Sequence, residues 1–127
     1  MRPSDRSYLE SHEWAKLDGD VVTVGITDFA VEQLGELVYL DLPSVGDSVS
    51  NGDAFGEVES VKAVSDLNSP VAGEIVAVND GLADDLDALQ NAPLAGGWLI
   101  QVRVSGADAI DGMLDAGAYE ELGVAQS

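Results

Sequence analysis

The sequence has no cysteine, one histidine and two lysines among its 127 residues. The absence of cysteine excludes disulfide bonds, thiolate metal sites and cysteine nucleophiles, and it agrees with a cytoplasmic location. The single histidine, His12, excludes a metal site built from several histidines and leaves one candidate base for a hydrolytic triad. No run of about eighteen apolar residues is present, so no membrane-spanning helix is expected. The opening MRPSDRSYLE lacks the apolar stretch of a signal peptide.

Basic residues are also scarce. Five lysines and arginines stand against 24 aspartates and glutamates, and the formal net charge is −19. Nucleic acid and anionic membranes are therefore not expected as partners, because both are bound through basic side chains. The acidic residues are spread from Asp5 to Glu121. This spread favours a surface adapted to a salt-rich cytoplasm, where counterions screen the repulsion, over an acidic docking patch for basic partners.

Short apolar runs broken by Gly, Asp, Asn or Pro predict many short strands. Strands are expected at Val21–Ile26, 36–42 and 97–104, and further strands within SVSNGDAFGEVESVKAV and GEIVAV. In ELVYLDL (36–42), strict alternation predicts that Leu37 and Tyr39 share one face. Gly-Glu-Val at 56–58 recurs as Gly-Glu-Ile at 73–75, which allows two related strands on either side of residue 62.

Two segments have helical character. In TDFAVEQLGE, Thr27 or Asp28 is suited to cap a short helix that Gly35 ends. Residues 105–123 predict a longer terminal helix, with apolar residues on one stripe. The stripe consists of Ile110, Met113, Leu114, Ala118 and Leu122. Residues 79–97 are expected to be mostly loop, with room for one helical turn. The predicted fold is mainly β, a small barrel or sandwich with a terminal helix packed on it, forming one domain over 7–127 after a flexible N-terminus, 1–6.

Lys62, in GEVESVKAVSDLNSP, is one of the two lysines in a strongly acidic chain. One reading is a surface lysine paired with nearby acids such as Glu59. A Schiff-base amine is less suitable, because it requires burial or a neighbouring cation and the sequence around Lys62 is acidic. A third reading is a lysine presented at an exposed strand-to-strand tip and acylated by a separate enzyme. The residues alone do not decide between the first and third readings.

The whole chain, from about residue 7 to residue 122, resembles the H proteins of the glycine cleavage system. The resemblance is carried in order and spacing by SHEW (11–14), VGITDFA (24–30), LGELVYLDLP (34–43), GEVESVKAVSDLNSPVAGEIVAVN (56–79) and GGW (96–98). The resemblance implies a barrel-sandwich hybrid, like lipoyl- and biotinyl-carrier domains, with a short internal helix and a C-terminal helix. It also implies that Lys62 lies at a hairpin tip and carries lipoic acid as an amide.

The resemblance further implies a non-catalytic shuttle. Such a carrier takes the aminomethyl group of glycine from the PLP-dependent glycine decarboxylase to the tetrahydrofolate-dependent aminomethyltransferase. Dihydrolipoyl dehydrogenase reoxidises the arm, and a lipoate ligase or a lipoyl/octanoyl transferase attaches it. The arm acts through effective concentration, because it brings one reactive end to several active sites in turn.

Residues around Lys62 acquire roles from the same resemblance. Those expected to be recognised around the lipoyl lysine are Glu59, Ser60, Val61 and Ala63. Those expected to line a groove for the aminomethyl-bearing arm are Ser11, Glu13 and Asp66. His12 is expected to be a structural hydrogen-bonding residue beside Trp14 rather than a base.

Other functions fit the sequence less well or need the same lysine. A related role is that of an H-like relay that supplies lipoyl groups to other carriers, which also requires Lys62. Biotin carriers usually have Met-Lys-Met at the tip, whereas this tip is Val61-Lys62-Ala63. An enzyme would have one histidine, no cysteine and no Gly-rich phosphate loop from which to build a site.

We expect the melting temperature to rise as KCl is added, because counterions screen the repulsion among side chains with a net charge of −19. Thermal unfolding followed by circular dichroism across a KCl series measures this. A melting temperature that does not change with KCl would contradict the salt-adapted interpretation.

Overall fold

The computed structural model describes residues 6–9, 12–50, 52–93, 97–104 and 113–120. Over these residues the elements follow in the order β1 (Ser7–Tyr8), β2 (Glu13–Asp18), β3 (Val21–Ile26), α1 (Asp28–Leu34), β4 (Leu37–Asp41), β5 (Ser48–Val49), β6 (Ala54–Ser60), β7 (Val64–Asn68), β8 (Gly73–Val78), a 3₁₀ helix (Asp80–Asp84), α2 (Leu86–Asn91), β9 (Ile100–Arg103) and α3 (Ala116–Glu120). None of the helices in this part of the chain is long and apolar enough to cross a membrane.

The strands form two antiparallel sheets. The larger sheet has the strand order β1-β2-β3-β9-β8-β5, and the smaller has the order β4-β6-β7. Their buried side chains share one core, to which the larger sheet gives Val24, Ile75 and Ile100 and the smaller gives Val58 and Leu67. Burying each such side chain contributes about 1.5–3 kcal/mol to stability. The predicted mainly β fold of barrel-sandwich type, with a short internal helix and a C-terminal helix, is confirmed.

The internal helix α1 forms where the sequence predicts it. Thr27 is the N-cap, and its Oγ1 accepts a hydrogen bond from the Ala30 backbone N–H at 3.2 Å. Gly35 is the C-cap, and its N–H donates to the Val31 carbonyl at 3.0 Å. The φ of Gly35 is +80°, a conformation that side-chain-bearing residues rarely adopt. The chain therefore turns out of the helix at a residue suited to that turn.

Strand β4 does not have the strict alternation that the sequence predicts. The register between β4 and β6 shifts between Leu37 and Tyr39, so Val38 is one residue in excess of the partner strand. Leu37 and Leu40 are buried, whereas Val38 and Tyr39 are half exposed. A β-bulge inserts one residue into a strand and so changes the face of the residues beyond it. The prediction that Leu37 and Tyr39 share a face is wrong for this reason.

The two similar tripeptides lie on β6 and β8. A Cβ on Gly56 would overlap the carbonyl oxygen of Asp41 in β4, and a Cβ on Gly73 would overlap that of Arg103 in β9. Both glycines therefore allow a neighbouring backbone to approach closely, which is what a glycine inside a strand often marks. The repeated tripeptide therefore lies on two strands, one in each sheet, and in both of them the glycine allows close approach of a neighbouring backbone.

Residues 79–97, expected to be mostly loop with room for one helical turn, contain the 3₁₀ helix and the six-residue helix α2. Leu82 and Leu89 are buried in the core, and α2 packs against β4. Tertiary burial of these leucines stabilises a segment whose many Asp residues favour loop in the sequence pattern. The expectation of a loop is therefore wrong over Leu86–Asn91.

Within the described residues, helix α3 begins at Ala116, and the three residues before it are not helical as predicted. Residues 105–112 and 121–123 of the predicted helix lie outside the described residues. Residues 113–115 are not helical, because Leu114 exchanges two backbone hydrogen bonds with Tyr8 of β1. Asp115 then accepts the Ala118 N–H on Oδ1 at 2.7 Å, which begins α3. The prediction of one continuous helix is wrong over 113–115.

His12 contacts this terminal helix. The Tyr119 hydroxyl lies 2.6 Å from His12 Nδ1 and 2.8 Å from Thr27 Oγ1. Tyr119 is fully buried and stacks on Tyr8 with ring centroids 4.9 Å apart. The expectation that His12 is a structural hydrogen-bonding residue is confirmed, with Tyr119 as its partner.

Candidate functional site

Lys62 lies in the middle of the three-residue loop 61–63 that joins β6 to β7. The lysine and both of its neighbours are exposed, and Val61 keeps 71% of its surface. The sequence gives no Asn-Gly or Asp-Gly signal for a two-residue hairpin here, and the loop is one residue longer than that type. Lys62 is thus at the tip of a hairpin, as the resemblance implies. We call residues 61–63 the tip.

Ser60 forms hydrogen bonds with Ala63 across the base of the tip. Its backbone N–H donates to the Ala63 carbonyl at 2.8 Å, and its hydroxyl oxygen accepts the Ala63 N–H at 3.1 Å. The hydroxyl also donates to the Ala63 carbonyl at 3.2 Å. The side chain is 7% exposed, so solvent competes little for these bonds. Ser60 therefore fixes the two ends of the tip relative to each other.

The tip is also bound to residues 35–37, which lead from the end of α1 to the first residue of β4 and which we call the connector. The Val61 N–H donates to the Glu36 carbonyl at 3.0 Å, and Leu37 pairs with Ser60 in the sheet. A Cβ built on Gly35 would lie 3.7 Å from the Lys62 Cε, so the lysine stem passes directly over this glycine. The connector therefore provides both a backbone anchor and a surface for the lysine stem.

Sequence reasoning identified Gly35 only as a helix end and did not identify Glu36. Its contribution is a backbone carbonyl, which every residue has, and the contact joins positions 25 residues apart in the chain. No local signal in the sequence marks such a contact.

The outer face of the small sheet carries four carboxylates, with Tyr39 and Val64 beside them in the row nearest the tip. One cross-strand row consists of Tyr39, Glu59 and Val64, beside the tip. The next row consists of Asp41, Glu57 and Asp66. The expected recognition residues therefore differ in position. Glu59 lies on this outer face and half-exposed, Val61 and Ala63 lie in the exposed tip, and Ser60 is buried under it.

Two of the three expected groove residues lie within the described part of the chain. Glu13, on β2, is only 1% exposed, and its Oε2 accepts the Asn68 backbone N–H at 3.0 Å. Asp66 is exposed and lies two residues before Asn68 on β7. Glu13 therefore contacts β7, the strand that carries Asp66. Ser11 lies outside the described residues.

A barrel-sandwich hybrid that presents an exposed lysine at a hairpin tip has the architecture of lipoyl- and biotinyl-carrier-like domains. The protein-family model "Glycine cleavage H-protein" matches residues 6–125 of the chain. The chain belongs to the glycine cleavage H-protein family.

Individual relatives agree with this assignment. The chain is 53% identical to a probable glycine cleavage system H protein of Natronomonas pharaonis over 118 residues, which cover 93% of each chain. It is 47% identical to the glycine cleavage system H protein of Trichormus variabilis, over 92% of this chain and 90% of that one. The crystal structure of a glycine cleavage system H protein from Mycobacterium marinum matches with a TM-score of 0.87 and 44% identity, over 95% of this chain and 98% of that one.

We expect Ser60→Ala to loosen the tip, because the substitution removes the hydroxyl that accepts the Ala63 N–H and donates to the Ala63 carbonyl. Loss of such bonds at a buried site costs about 1–3 kcal/mol. Hydrogen exchange of the Ala63 amide, measured by NMR, is expected to become faster. Ser65→Ala is the matched control, because Ser65 is exposed and its hydroxyl makes only a 3.5 Å contact with the Asp66 carbonyl. Equal exchange at Ala63 in both variants would contradict the role given to Ser60.

Proposed function

We propose that the protein is a non-catalytic carrier of the glycine cleavage system, with lipoic acid joined as an amide to the Lys62 amine. The observation that carries this proposal is the position of Lys62, exposed at a tip that is hydrogen-bonded on both sides, in a member of the H-protein family. A lysine that other enzymes must reach and modify needs both an exposed side chain and a backbone held in a defined position.

The surroundings of Lys62 are suited to the attachment of a lipoyl group. An amide bond to lysine requires an amine that is accessible to a separate acylating enzyme, and the exposure of the tip satisfies that condition. When bound, the lipoyl group supplies a dithiolane at the end of a flexible arm, which is the chemistry needed to take up the aminomethyl unit of glycine. The amide also removes the positive charge of Lys62.

The chain itself positions the arm. Ser60 and the Glu36 carbonyl hold the tip, so the flexibility of the arm begins at the lysine side chain and not in the backbone. A short flexible attachment to a fixed point keeps the reactive end at high effective concentration near any enzyme that docks on the protein. The arm then reaches successive active sites without dissociating from its carrier.

Recognition of the lysine by a lipoate ligase or a lipoyl/octanoyl transferase is proposed to use the tip and its flanks. Val61 and Ala63 are exposed on either side of Lys62, and Glu59 lies on the outer face of β6. Ser60 is buried and contributes by shaping the backbone. Tyr39 and Val64, on either side of Glu59, offer contact area that does not depend on charge.

The proposed enzyme partners of the loaded carrier are glycine decarboxylase, aminomethyltransferase and dihydrolipoyl dehydrogenase, all in the cytoplasm. Salt screens exposed ionic contacts, so in a salt-rich cytoplasm recognition would rest more on apolar and hydrogen-bonded contacts. The exposed valines of the hairpin, Val61 and Val64, supply such contacts.

Asp66, Glu13 and Ser11 are proposed to border the groove that shelters the loaded arm. The amino group derived from glycine is protonated near neutral pH, and a carboxylate within reach stabilises it. Asp66 supports this role because it is exposed on β7 beside the hairpin. Glu13 supports it by holding the Asn68 N–H, which orders the end of the same strand.

We expect one lipoyl group on the Lys62 peptide after incubation of the protein with lipoate, ATP and a lipoate ligase. Intact mass and peptide mapping measure it. Lys62→Arg keeps a positive charge but has no acylable amine of this kind, so it should remain unmodified. Lys16→Arg, at an exposed site on β2, is the matched control and should be modified like the wild type. No modification, or modification mainly at Lys16, would contradict the site assignment.

We expect Asp66→Asn to shorten the lifetime of the loaded carrier. Lipoylated protein is loaded with glycine labelled at the α-carbon by glycine decarboxylase, separated from it, and followed for release of label. Loss of one hydrogen bond to a charged group predicts release about tenfold faster. Asp18→Asn, at the end of β2, is the control. Equal release from both variants would exclude Asp66 from the groove.

A further inference from the structure

Gln90 on α2 makes a two-point contact with the connector. Its Nε2 donates to the Gly35 carbonyl at 2.9 Å, and its Oε1 lies 3.5 Å from the Leu37 N–H. A side-chain amide has one accepting and one donating end, so this pair of contacts matches a backbone carbonyl and a backbone N–H in one orientation only. The 2.9 Å bond is the stronger of the two, and the longer one fixes the direction of the amide.

Backbone groups of the connector also bond to several other elements. The Gly35 N–H donates to Val31 of α1, and the Gly35 carbonyl accepts from Gln90 of α2. The Glu36 carbonyl accepts from Val61 of the tip. The next residue, Leu37, begins β4. Three elements that are separate in the sequence therefore meet at residues 35–37.

Gly35 and Glu36 are also the residues that contact the tip. The Lys62 stem passes over Gly35, and the Val61 N–H is held by Glu36. A displacement of the connector would therefore move the surface under the lysine stem and the backbone anchor of the tip together. The Gln90 side chain ties this connector to α2, which is anchored in the core by the fully buried Leu89.

We propose that Gln90 is a positioning residue for the modification of Lys62. It does not touch the lysine. It holds the connector at the place where the Gly35 surface and the Glu36 carbonyl orient the tip toward an acylating enzyme. This inference rests on the proposed function, because it concerns the rate at which Lys62 is lipoylated.

Two kinds of measurement separate positioning from general stability. Gln90→Leu removes both contacts at similar side-chain volume, and Gln33→Leu, an exposed glutamine on α1, is the matched control. Hydrogen exchange is compared at the Val61 amide and at the Val24 amide in β3. Steady-state lipoylation by a lipoate ligase gives kcat and KM with the carrier as the varied substrate.

For Gln90→Leu we expect Val61 exchange to become up to about tenfold faster, because the lost hydrogen bonds contribute a net factor of that size. The Val24 exchange should remain at the wild-type rate. We expect kcat for lipoylation to fall by about tenfold with a nearly unchanged KM, because the docking face is intact and only the lysine is misplaced. Gln33→Leu should match the wild type in all four quantities.

Wild-type values of Val61 exchange and kcat in Gln90→Leu would overturn the inference while leaving the proposed function intact. Faster exchange at Val61 and Val24 alike, with normal kcat below the melting temperature, would also overturn it, because that pattern belongs to general destabilisation. If Gln90→Leu does not fold, Gln90→Glu provides the same comparison, since it lacks the donor to Gly35. A wild-type chain that is not lipoylated at Lys62 would overturn the proposed function and this inference together.

Discussion

The hydrogen bond from the Val61 N–H to the Glu36 carbonyl joins the exposed hairpin tip to the body of the protein. Without it, the tip would be held only by the strand pairing of β6 and β7 and by the bonds between Ser60 and Ala63. With it, Lys62 is exposed while the backbone of its neighbour Val61 is held in place. The proposed carrier role has two opposed requirements, access for several enzymes and a constant position of the attachment point, and this arrangement is compatible with both.

The rest of the fold supplies the position of Glu36. The C-cap at Gly35 ends α1 with a positive φ, and the chain then enters β4 beside β6. The bulge at Val38 leaves Leu37 buried and turns Tyr39 outward near the tip. Close approach of strands at Gly56 brings β6 against β4 further along the same pair. The position of one backbone carbonyl is therefore a product of a helix end, a bulge and a close strand contact.

Periodicity and composition predicted the mainly β fold, β3, α1 and the end of α1 at Gly35, because each of these depends on neighbours within a few residues. The same methods failed for α2, for residues 113–115 and for the faces of β4. In each case a distant contact decides the outcome: burial of Leu89, pairing of Leu114 with Tyr8, and the register with β6. Lys62 stood out because the chain has so few lysines, but its use as a carrier came from the family resemblance. The contact of Glu36 with the tip and that of Gln90 with Gly35 span 25 and 55 residues of sequence and left no local pattern.

The central claim is that the protein carries a group derived from glycine on Lys62. The most direct test compares the lipoylated protein, after peptide mapping has verified the group on Lys62, with the unmodified protein. Each is incubated with glycine decarboxylase and glycine labelled at the α-carbon. The account predicts one label per lipoylated chain, released when aminomethyltransferase and tetrahydrofolate are added, and none on the unmodified chain. A lipoylated chain that takes up no label from glycine would contradict the account and would favour a relay that supplies lipoyl groups to other carriers.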